Sequence, residues 1–381
     1  MECRKLYYED PGLRAFTATV TGCKETPKGW AVTLDATAFY PEGGGQACDL
    51  GQLGTAEVLD VREQDRQIIH LCAGPLTVGT QVEGRIHWER RFDLMQQHTG
   101  EHILSGLVCG RFGFHNVGFH VGAEVIQIDF DGPIPAEALE ELEAEANAVI
   151  WDDRPVKCWY PSPEELPGVP YRSKKALPWP VRIVEVPGAD ICACCGTHVA
   201  TTGQVGLVKI FSCVKFHEGV RLEIACGKRA LTQLSRVYEQ NRQVSQAFSA
   251  KVLETGAAAQ RALEALAAEK LRANTLQSQL FDRIAGDYVN QKNVLHFAPP
   301  LEGGQLRELA EKISARCEGY CAVFSEKEGG FSYCLAQPGG DLRQLCKELN
   351  TCLNGRGGGK PPFQQGTVQA TRADIEKFFS H

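Results

Sequence analysis

No run of the 381-residue chain approaches the ~18 consecutive apolar residues that a membrane-spanning helix needs, so no membrane span is expected. The opening Met1-Glu2-Cys3-Arg4-Lys5-Leu6 also lacks the apolar core of a secretory signal, and a cytoplasmic protein is expected. Excess positive charge is missing too. The 40 Lys and Arg residues stand against 47 Asp and Glu, a formal net charge of −7, which argues against a surface coated in cation for indiscriminate nucleic-acid binding. A local basic groove is still allowed. From Leu231 onward basic and acidic residues nearly balance, so the C-terminal part is the better candidate for meeting phosphate. Compositional bias is absent as well: 43% hydrophobic and 23% charged residues exclude a fibrous or disordered chain.

What the sequence does contain is length and cysteine. The chain exceeds one ordinary domain of ~100–200 residues, so several cores are expected. Its 16 cysteines, spread through the whole length, read as reduced thiols with some metal ligands among them rather than as a disulfide framework. The pattern predicts an α+β multidomain protein. Short β-branched runs before Arg91 suggest a small β-barrel over residues 1–90. Inside it lies Phe39-Tyr40-Pro41-Glu42-Gly43-Gly44-Gly45-Gln46, either a turn or a backbone lying close to substrate. Residues 91–227 read as helices over 91–112 and 134–151 against an antiparallel sheet, interrupted by a passage rich in proline (Pro161, Pro163, Pro167, Pro170, Pro178, Pro180). Residues 228–286 keep helical spacing, with Gly256 as the break of a helical hairpin or coiled-coil pair whose apolar stripe could join another subunit. Residues 287–381 read as a compact α/β unit with a flexible glycine-rich loop at 354–360.

The sharpest local signal is His98-Thr99-Gly100-Glu101-His102. On a helix, positions i and i+4 share a face, so both imidazoles can reach one metal ion; two surface or capping histidines would give the same pair. In Cys192-Ala193-Cys194-Cys195-Gly196-Thr197-His198, Cys194 and His198 repeat that spacing with a soft ligand added. Imidazoles and a thiolate together suit one Zn²⁺ per chain. Cys192 and Cys195 compete for the thiolate role, and spacing favours Cys194. Ligand count leaves open whether such a site is a closed structural pin or a catalytic centre. His98-x-x-Glu101-His102 also matches the inverted-zincin peptidase pattern with Glu101 as base, but that class needs a downstream acidic ligand where this chain offers Cys194 and His198.

At these residues the chain resembles the editing domain of alanyl-tRNA synthetase and the freestanding alanyl-tRNA editing proteins. The resemblance rests on His98-x3-His102 within Gln96-Gln97-His98-Thr99 and on Cys194-Cys195-Gly196-Thr197-His198-Val199. The glycine-rich 39–46 segment is similar to an N-terminal motif of that family. Val205-Gly206-Leu207-Val208-Lys209-Ile210 and Val220-Arg221-Leu222-Glu223 resemble the strands that follow its metal motif. Arg356-Gly357-Gly358-Gly359-Lys360-Pro361 with Gln364-Gln365-Gly366 looks like the glycine-rich end of the synthetase's C-terminal, DHHA1-type domain. Cys195 departs from the pattern, which has a second glycine there, and no aminoacylation domain is found, so charging is not expected.

The resemblance implies hydrolysis of mischarged tRNA(Ala), chiefly seryl and also glycyl, with zinc held by His98, His102, Cys194 and His198. An alanine pocket discriminates poorly against both amino acids, and a second site recovers the difference. Such a site needs a hydrogen-bonding partner for the seryl hydroxyl: Thr99, or His120 in the pocket segment Gly118-Phe119-His120. Zinc would position the ester or activate water. Glu101 is a candidate base, although its step along the helix points it about 100° from the zinc face. The acceptor stem and 3′ end of tRNA(Ala) would meet Gly43, Gly44, Gly45 and Gln46, the cations Lys209, Lys215 and Arg221, and in the C-terminal part Arg356 and Lys360. The competing expectation is a non-catalytic tRNA-binding protein with a structural zinc. A homodimer through the helical pair or the C-terminal domain is a further expectation.

Overall fold

The computed structural model describes residues 3–173, 177 and 179–380. The readings made on Met1, Glu2 and Pro178 lie outside them. The chain divides into two compact units, Met1–Gln243 and Val244–His381. Its helices are α1 (Leu6–Glu9), α2 (Trp88–Phe112), α3 (Ala138–Trp151), α4 (Gly227–Ala247), α5 (Thr255–Gly286), α6 (Gly303–Ser314), α7 (Arg343–Cys352) and α8 (Arg372–Phe379). Among the described residues no helix is long and apolar enough to cross a membrane.

In the first unit six strands close a barrel in the order Ala15–Thr26, Gly29–Leu34, Gln67–Cys72, Ala56–Gln64, Gly51–Leu53, Gln81–Ile86. Period-two alternation drives it: Phe16, Ala18 and Val20 point inward to join Val32, Leu53, Val61 and Ile68, while the residues between them are exposed or half-exposed. The glycine-rich loop is tied to α2 by a buried ion pair. Arg91 Nε donates to Asp49 Oδ1 (2.9 Å), its other nitrogens donate to the carbonyls of Pro11 and Ala38, and Asp49 Oδ2 accepts the Tyr40 N–H (2.6 Å). Because these partners satisfy both charges, the pair fixes geometry instead of leaving a charge stranded.

Helix α2 is buried along most of its length and ends at Gly113, which takes the left-handed φ of 72° and donates to the Cys109 carbonyl. On it pack α3 and an antiparallel sheet ordered Val208–Phe216, Gly219–Cys226, Ile126–Phe130, Asn116–Val121. Ile103, Leu104, Val108, Ile128, Leu142, Leu222 and Ile224 form the shared core. A second antiparallel sheet, Lys157–Trp159, Ile183–Val186 and Asp190–Ala193, meets α2 from another side and delivers the chain to Cys194.

The second unit is a five-stranded sheet ordered Val294–Ala298, Cys321–Lys327, Gly330–Ala336, Phe363–Val368, Gly355–Gly358, parallel only in its first pair. Alternate residues of its strands enter two cores: Cys321 and Val323 meet Phe281, Leu309 and Ile313, whereas Ala322 and Phe324 meet Leu349 and Ile375. Helices therefore cover both faces.

Two sequence expectations need correction here. The glycine-rich segment expected as a flexible loop holds the edge strand Gly355–Gly358, paired with Phe363–Val368. Gly357 is demanded by packing, since a Cβ there would stand 2.4 Å from the Tyr333 hydroxyl, which donates to Asn350 Oδ1 (2.9 Å). Gly256 does not break the long helices. It lies in the first turn of α5, and the break falls at 248–254, where Ser249 takes a φ of 50° and Ser245 Oγ donates to the Ala250 carbonyl (2.5 Å). Leu231, Val237 and Tyr238 of α4, like Leu263, Leu266, Leu276 and Leu280 of α5, are exposed.

Candidate metal centre

His98 and His102 stand one turn apart on α2, both 3% exposed, with ring centroids 5.3 Å apart. Cys194 and His198 share the same sequence spacing but no helix: the 194–198 segment is irregular. Its backbone is held from outside. Arg182 Nη1 donates to the carbonyls of Cys194 (2.9 Å) and Gly196 (3.0 Å), Gln46 Oε1 accepts the Thr197 N–H (3.2 Å), and Thr99 Oγ1 accepts the Val199 N–H (3.2 Å). Gly196 is the residue that lets this loop approach the helix. A Cβ there would lie 2.1 Å from His98 Cε1, so a side chain cannot fit without displacing the imidazole.

The four side chains converge. One ligand atom from each lies within 4.8 Å of the other three, and Cys194 Sγ is 3.4 Å from both His98 Nε2 and His198 Nε2. A tetrahedral zinc with its usual bond lengths would set sulfur and nitrogen about 3.6 Å apart, so the donors sit at the separation such an ion imposes. Each imidazole turns Nδ1 outward to an oxygen: His98 to Gln46 Oε1 (2.9 Å), His198 to Thr99 Oγ1 (3.1 Å), and His102 to Asp190 Oδ2 (3.0 Å). Arg172 grips that carboxylate with two hydrogen bonds (2.7 and 2.8 Å). A proton placed on each Nδ1 leaves a lone pair on each Nε2, the tautomer a metal ligand requires. Burial alone would push the Cys194 thiol up, but His98, His102 and His198 hold it well below the usual thiol range, in the form that binds metal. Burial pushes His198 down to about 3, keeping it neutral. At His102 burial is outweighed by the Cys194 sulfur and Asp190, which raise it well above 6.5 in the metal-free protein. These side chains form a site able to bind a metal ion.

Of the rival thiols, Cys195 is exposed and contributes its carbonyl, which accepts the Tyr8 hydroxyl (3.0 Å). Cys192 lies near His102 and Asp190, but Arg172 occupies that carboxylate and burial pushes the Cys192 thiol up to about 11. Glu101 does not point away as the helical step suggested. Its Oε2 stands 3.9 Å from His102 Nε2, and Oε1 accepts from Ser105 Oγ (2.6 Å) and from Asn116 Nδ2. Thr99 is buried as the partner of His198. Gln46, read as an RNA contact, is buried and bridges His98 to Thr197, donating from Nε2 to Thr197 Oγ1 (2.7 Å). Phe119 packs over His98 with ring centroids 5.4 Å apart. His120 is exposed and lines a groove of about 530 Å³ with Gly43, Gly44, Gly45 and Gln46, whereas Gly118 lies in register opposite Asp129. Lys209 pairs with Glu143 (2.7 Å), and Arg221 pairs with Asp129 (2.6 Å) while lying over the Phe216 ring. Lys215 is exposed, as are Arg356 and Lys360 of the second unit. Sequence reasoning missed the supporting roles of Gln46, Asp190, Arg172 and Arg182, because nothing in their spacing signals a tertiary contact.

A family profile described as the threonyl and alanyl tRNA synthetase second additional domain matches residues 181–238, the stretch that carries Cys194 and His198. That is the class to which the metal-site region belongs. Alanine–tRNA ligase of Pyrococcus furiosus is 31% identical over 99% of this chain and 42% of its own length, and that of Pyrococcus abyssi is 29% identical over 97% and 42%. Alanyl-tRNA editing protein Aarsd1 of Rattus norvegicus is 28% identical over 97% of this chain and 96% of its own length. The chain thus spans less than half of the ligases it matches but nearly all of the editing protein. It is similar to the freestanding alanyl-tRNA editing proteins over nearly its whole length. Among solved structures, the C-Ala domain from Aquifex aeolicus alanyl-tRNA synthetase matches 23% of this chain at 20% identity with a TM-score of 0.20, too low to inform its fold.

Proposed function

We propose that this protein is a trans-acting deacylase that hydrolyses the ester of mischarged tRNA(Ala), releasing serine and glycine, with zinc held by His98, His102, Cys194 and His198. The observation that carries the reading is the convergence of three imidazoles and one low-pKa thiol, with Nδ1 of His98 and His198 hydrogen-bonded and Nδ1 of His102 3.0 Å from the Asp190 carboxylate. The names of the editing relatives supply the substrate. A bound zinc would supply a fixed positive charge and Lewis acidity beside the ester carbonyl.

The chain's own residues do the rest. Thr99 Oγ1 accepts from the Val199 N–H and, in the ligand tautomer, from His198 Nδ1, which leaves its hydroxyl hydrogen to donate to a seryl oxygen. Ser105 and Asn116 fix Glu101 Oε1, so that Oε2, on the side of His102 Nε2, is the atom to take a proton from water. Gly118, Phe119 and His120 form the amino-acid pocket in this reading. Gly43, Gly44, Gly45 and Gln46 present backbone to the acceptor end, and Lys209, Arg221, Arg356 and Lys360 meet phosphate. Lys209 and Arg221 would have to exchange their carboxylate partners for RNA. Residues 1–90 and 91–227 supply the site, 228–286 the long helices and 287–381 further RNA contacts, in a cytoplasmic protein.

Incubation with seryl-, glycyl- and alanyl-tRNA(Ala) tests this. Seryl and glycyl esters should be cleaved at least about tenfold faster than alanyl. Equal rates on seryl and alanyl esters, or no cleavage of any, would overturn the reading. The second reading, a non-catalytic tRNA-binding protein with a structural zinc, is favoured by one feature: four protein ligands complete a tetrahedral shell. It predicts that Cys194→Ala unfolds the first unit, whereas the deacylase reading predicts a loss of activity that exceeds the loss of stability.

A further inference from the structure

Of the four clustered side chains, the three histidines are buried, Cys194 is half-buried, and the next residue, Cys195, is exposed. The cluster therefore meets solvent at the 194–195 turn. Two side chains are fastened to that turn. The Tyr8 hydroxyl donates to the Cys195 carbonyl (3.0 Å), and Arg182, bound to the carbonyls of Cys194 and Gly196, lays its guanidinium 4.7 Å over the Tyr8 ring. Aromatic rings continue on either side. Inward, Tyr7 and then Tyr40 follow at centroid spacings of 4.6 and 5.4 Å, and the Tyr40 hydroxyl donates to the Gly43 carbonyl (3.0 Å). Outward, Tyr160 stands edge-on to Tyr8 at 6.5 Å and is 51% exposed.

Core packing accounts for Tyr7 and Tyr40, which are buried, but not for Tyr160. We propose that Tyr160, backed by Tyr8 and Arg182, is a stacking platform for the unpaired nucleotides at the 3′ end of the substrate RNA. This rests on the deacylase reading: an aminoacyl group held at the cluster is esterified to the terminal ribose, and the nucleotides before it must leave over the 194–195 turn. Unpaired bases are bound by stacking on aromatic rings and guanidinium planes. Such a platform is indifferent to base identity, because every base has a π face. It therefore contributes affinity for the RNA end and leaves the choice of amino acid to the pocket.

The test uses the full-length protein and a fluorescein-labelled single-stranded RNA hexanucleotide, followed by anisotropy. Tyr160→Ala should weaken binding about tenfold, the range for losing one stacked base, and Tyr160→Phe should bind within about twofold of the wild type. Melting temperature and zinc content should be unchanged in both. On seryl-tRNA(Ala), Tyr160→Ala should raise KM by the same factor with kcat retained, while cleavage of a seryl-adenosine ester, which lacks the preceding nucleotides, should not change. Wild-type protein that ignores the hexanucleotide, an alanine variant that binds it as tightly, or a phenylalanine variant that fails to restore binding would each overturn the platform. An acidic peptide that competes for Tyr160 more strongly than the RNA would do the same. If the hexanucleotide behaves as expected but no aminoacyl ester is cleaved, the deacylase reading falls and the platform stands. If Tyr160→Ala cleaves seryl-tRNA(Ala) normally with unchanged KM, the platform falls and the deacylase reading stands.

Discussion

The two halves of the metal centre share a sequence spacing and little else. His98 and His102 ride on a helix whose backbone hydrogen bonds already fix their Cα positions, so each needs only one external partner, Gln46 or Asp190, to set its ring. Cys194 and His198 sit on irregular backbone, and the segment needs Arg182, Gln46, Thr99 and a glycine to hold it against the helix. Equal spacing thus arises from two different physical causes, local periodicity in one half and tertiary hydrogen bonding in the other. The loop half should be the more easily broken.

Gly196→Ala attacks that half directly. A Cβ 2.1 Å from His98 Cε1 must displace either the ligand or the loop, and zinc affinity should fall by about a hundredfold or more, as measured by competition with a chromogenic chelator. Asp190→Asn attacks the helical half by weakening the partner of His102 while its backbone stays in place. The expected loss is about ten- to hundredfold. A larger loss in Asp190→Asn than in Gly196→Ala would invert the comparison.

How much of this was legible in the sequence follows the same division. His98 and His102 were readable because a helix converts i and i+4 into one face, and the mixed helix and strand character of the chain followed from its periodicities. Cys194 was readable by analogy of spacing, for a reason the structure does not share. Gln46, Asp190 and Arg182 were not readable as supports of the centre, because their roles exist only once distant segments are packed. Gln46 lies fifty-two residues from its partner His98. The strand Gly355–Gly358 was misread because glycine-rich sequence signals a loop, whereas Gly357 serves a tyrosine hydroxyl packed closely beneath a strand. Glu101 was misjudged by angle alone, since a side chain of that length reaches back toward the ligand face, where Ser105 and Asn116 hold it.

A smaller effect separates the halves by titration in the metal-free protein. His102 on the helix is raised well above 6.5, so the interactions that raise it favour folding most below pH 6.5 and are lost as pH rises through that higher value. His198 in the loop is lowered to about 3, so its neutral burial favours folding above pH 6.5 and is lost as pH falls from 6.5 toward 3. Imidazole nitrogen spectra at pH 6 should therefore show His102 protonated and His198 neutral. Finding the same charge on both would contradict the distinction.

The smallest expected effect is at Cys195, where the motif that the sequence resembles has a second glycine. The exposed thiol is not one of the four clustered ligands, and the residue's carbonyl accepts the Tyr8 hydroxyl whatever the side chain. Cys195→Gly should leave zinc affinity within about twofold, because it removes neither a ligand nor an anchoring partner of one. It adds conformational freedom to the unfolded loop, so a slight loss of stability, about 0.5–1 kcal/mol, should accompany unchanged affinity. Chelator competition and thermal melting on the same preparations separate the two quantities. A large fall in affinity would mean that the loop half is held by its own side chains and not by bonds to its backbone, which would remove the contrast between the two halves of the centre.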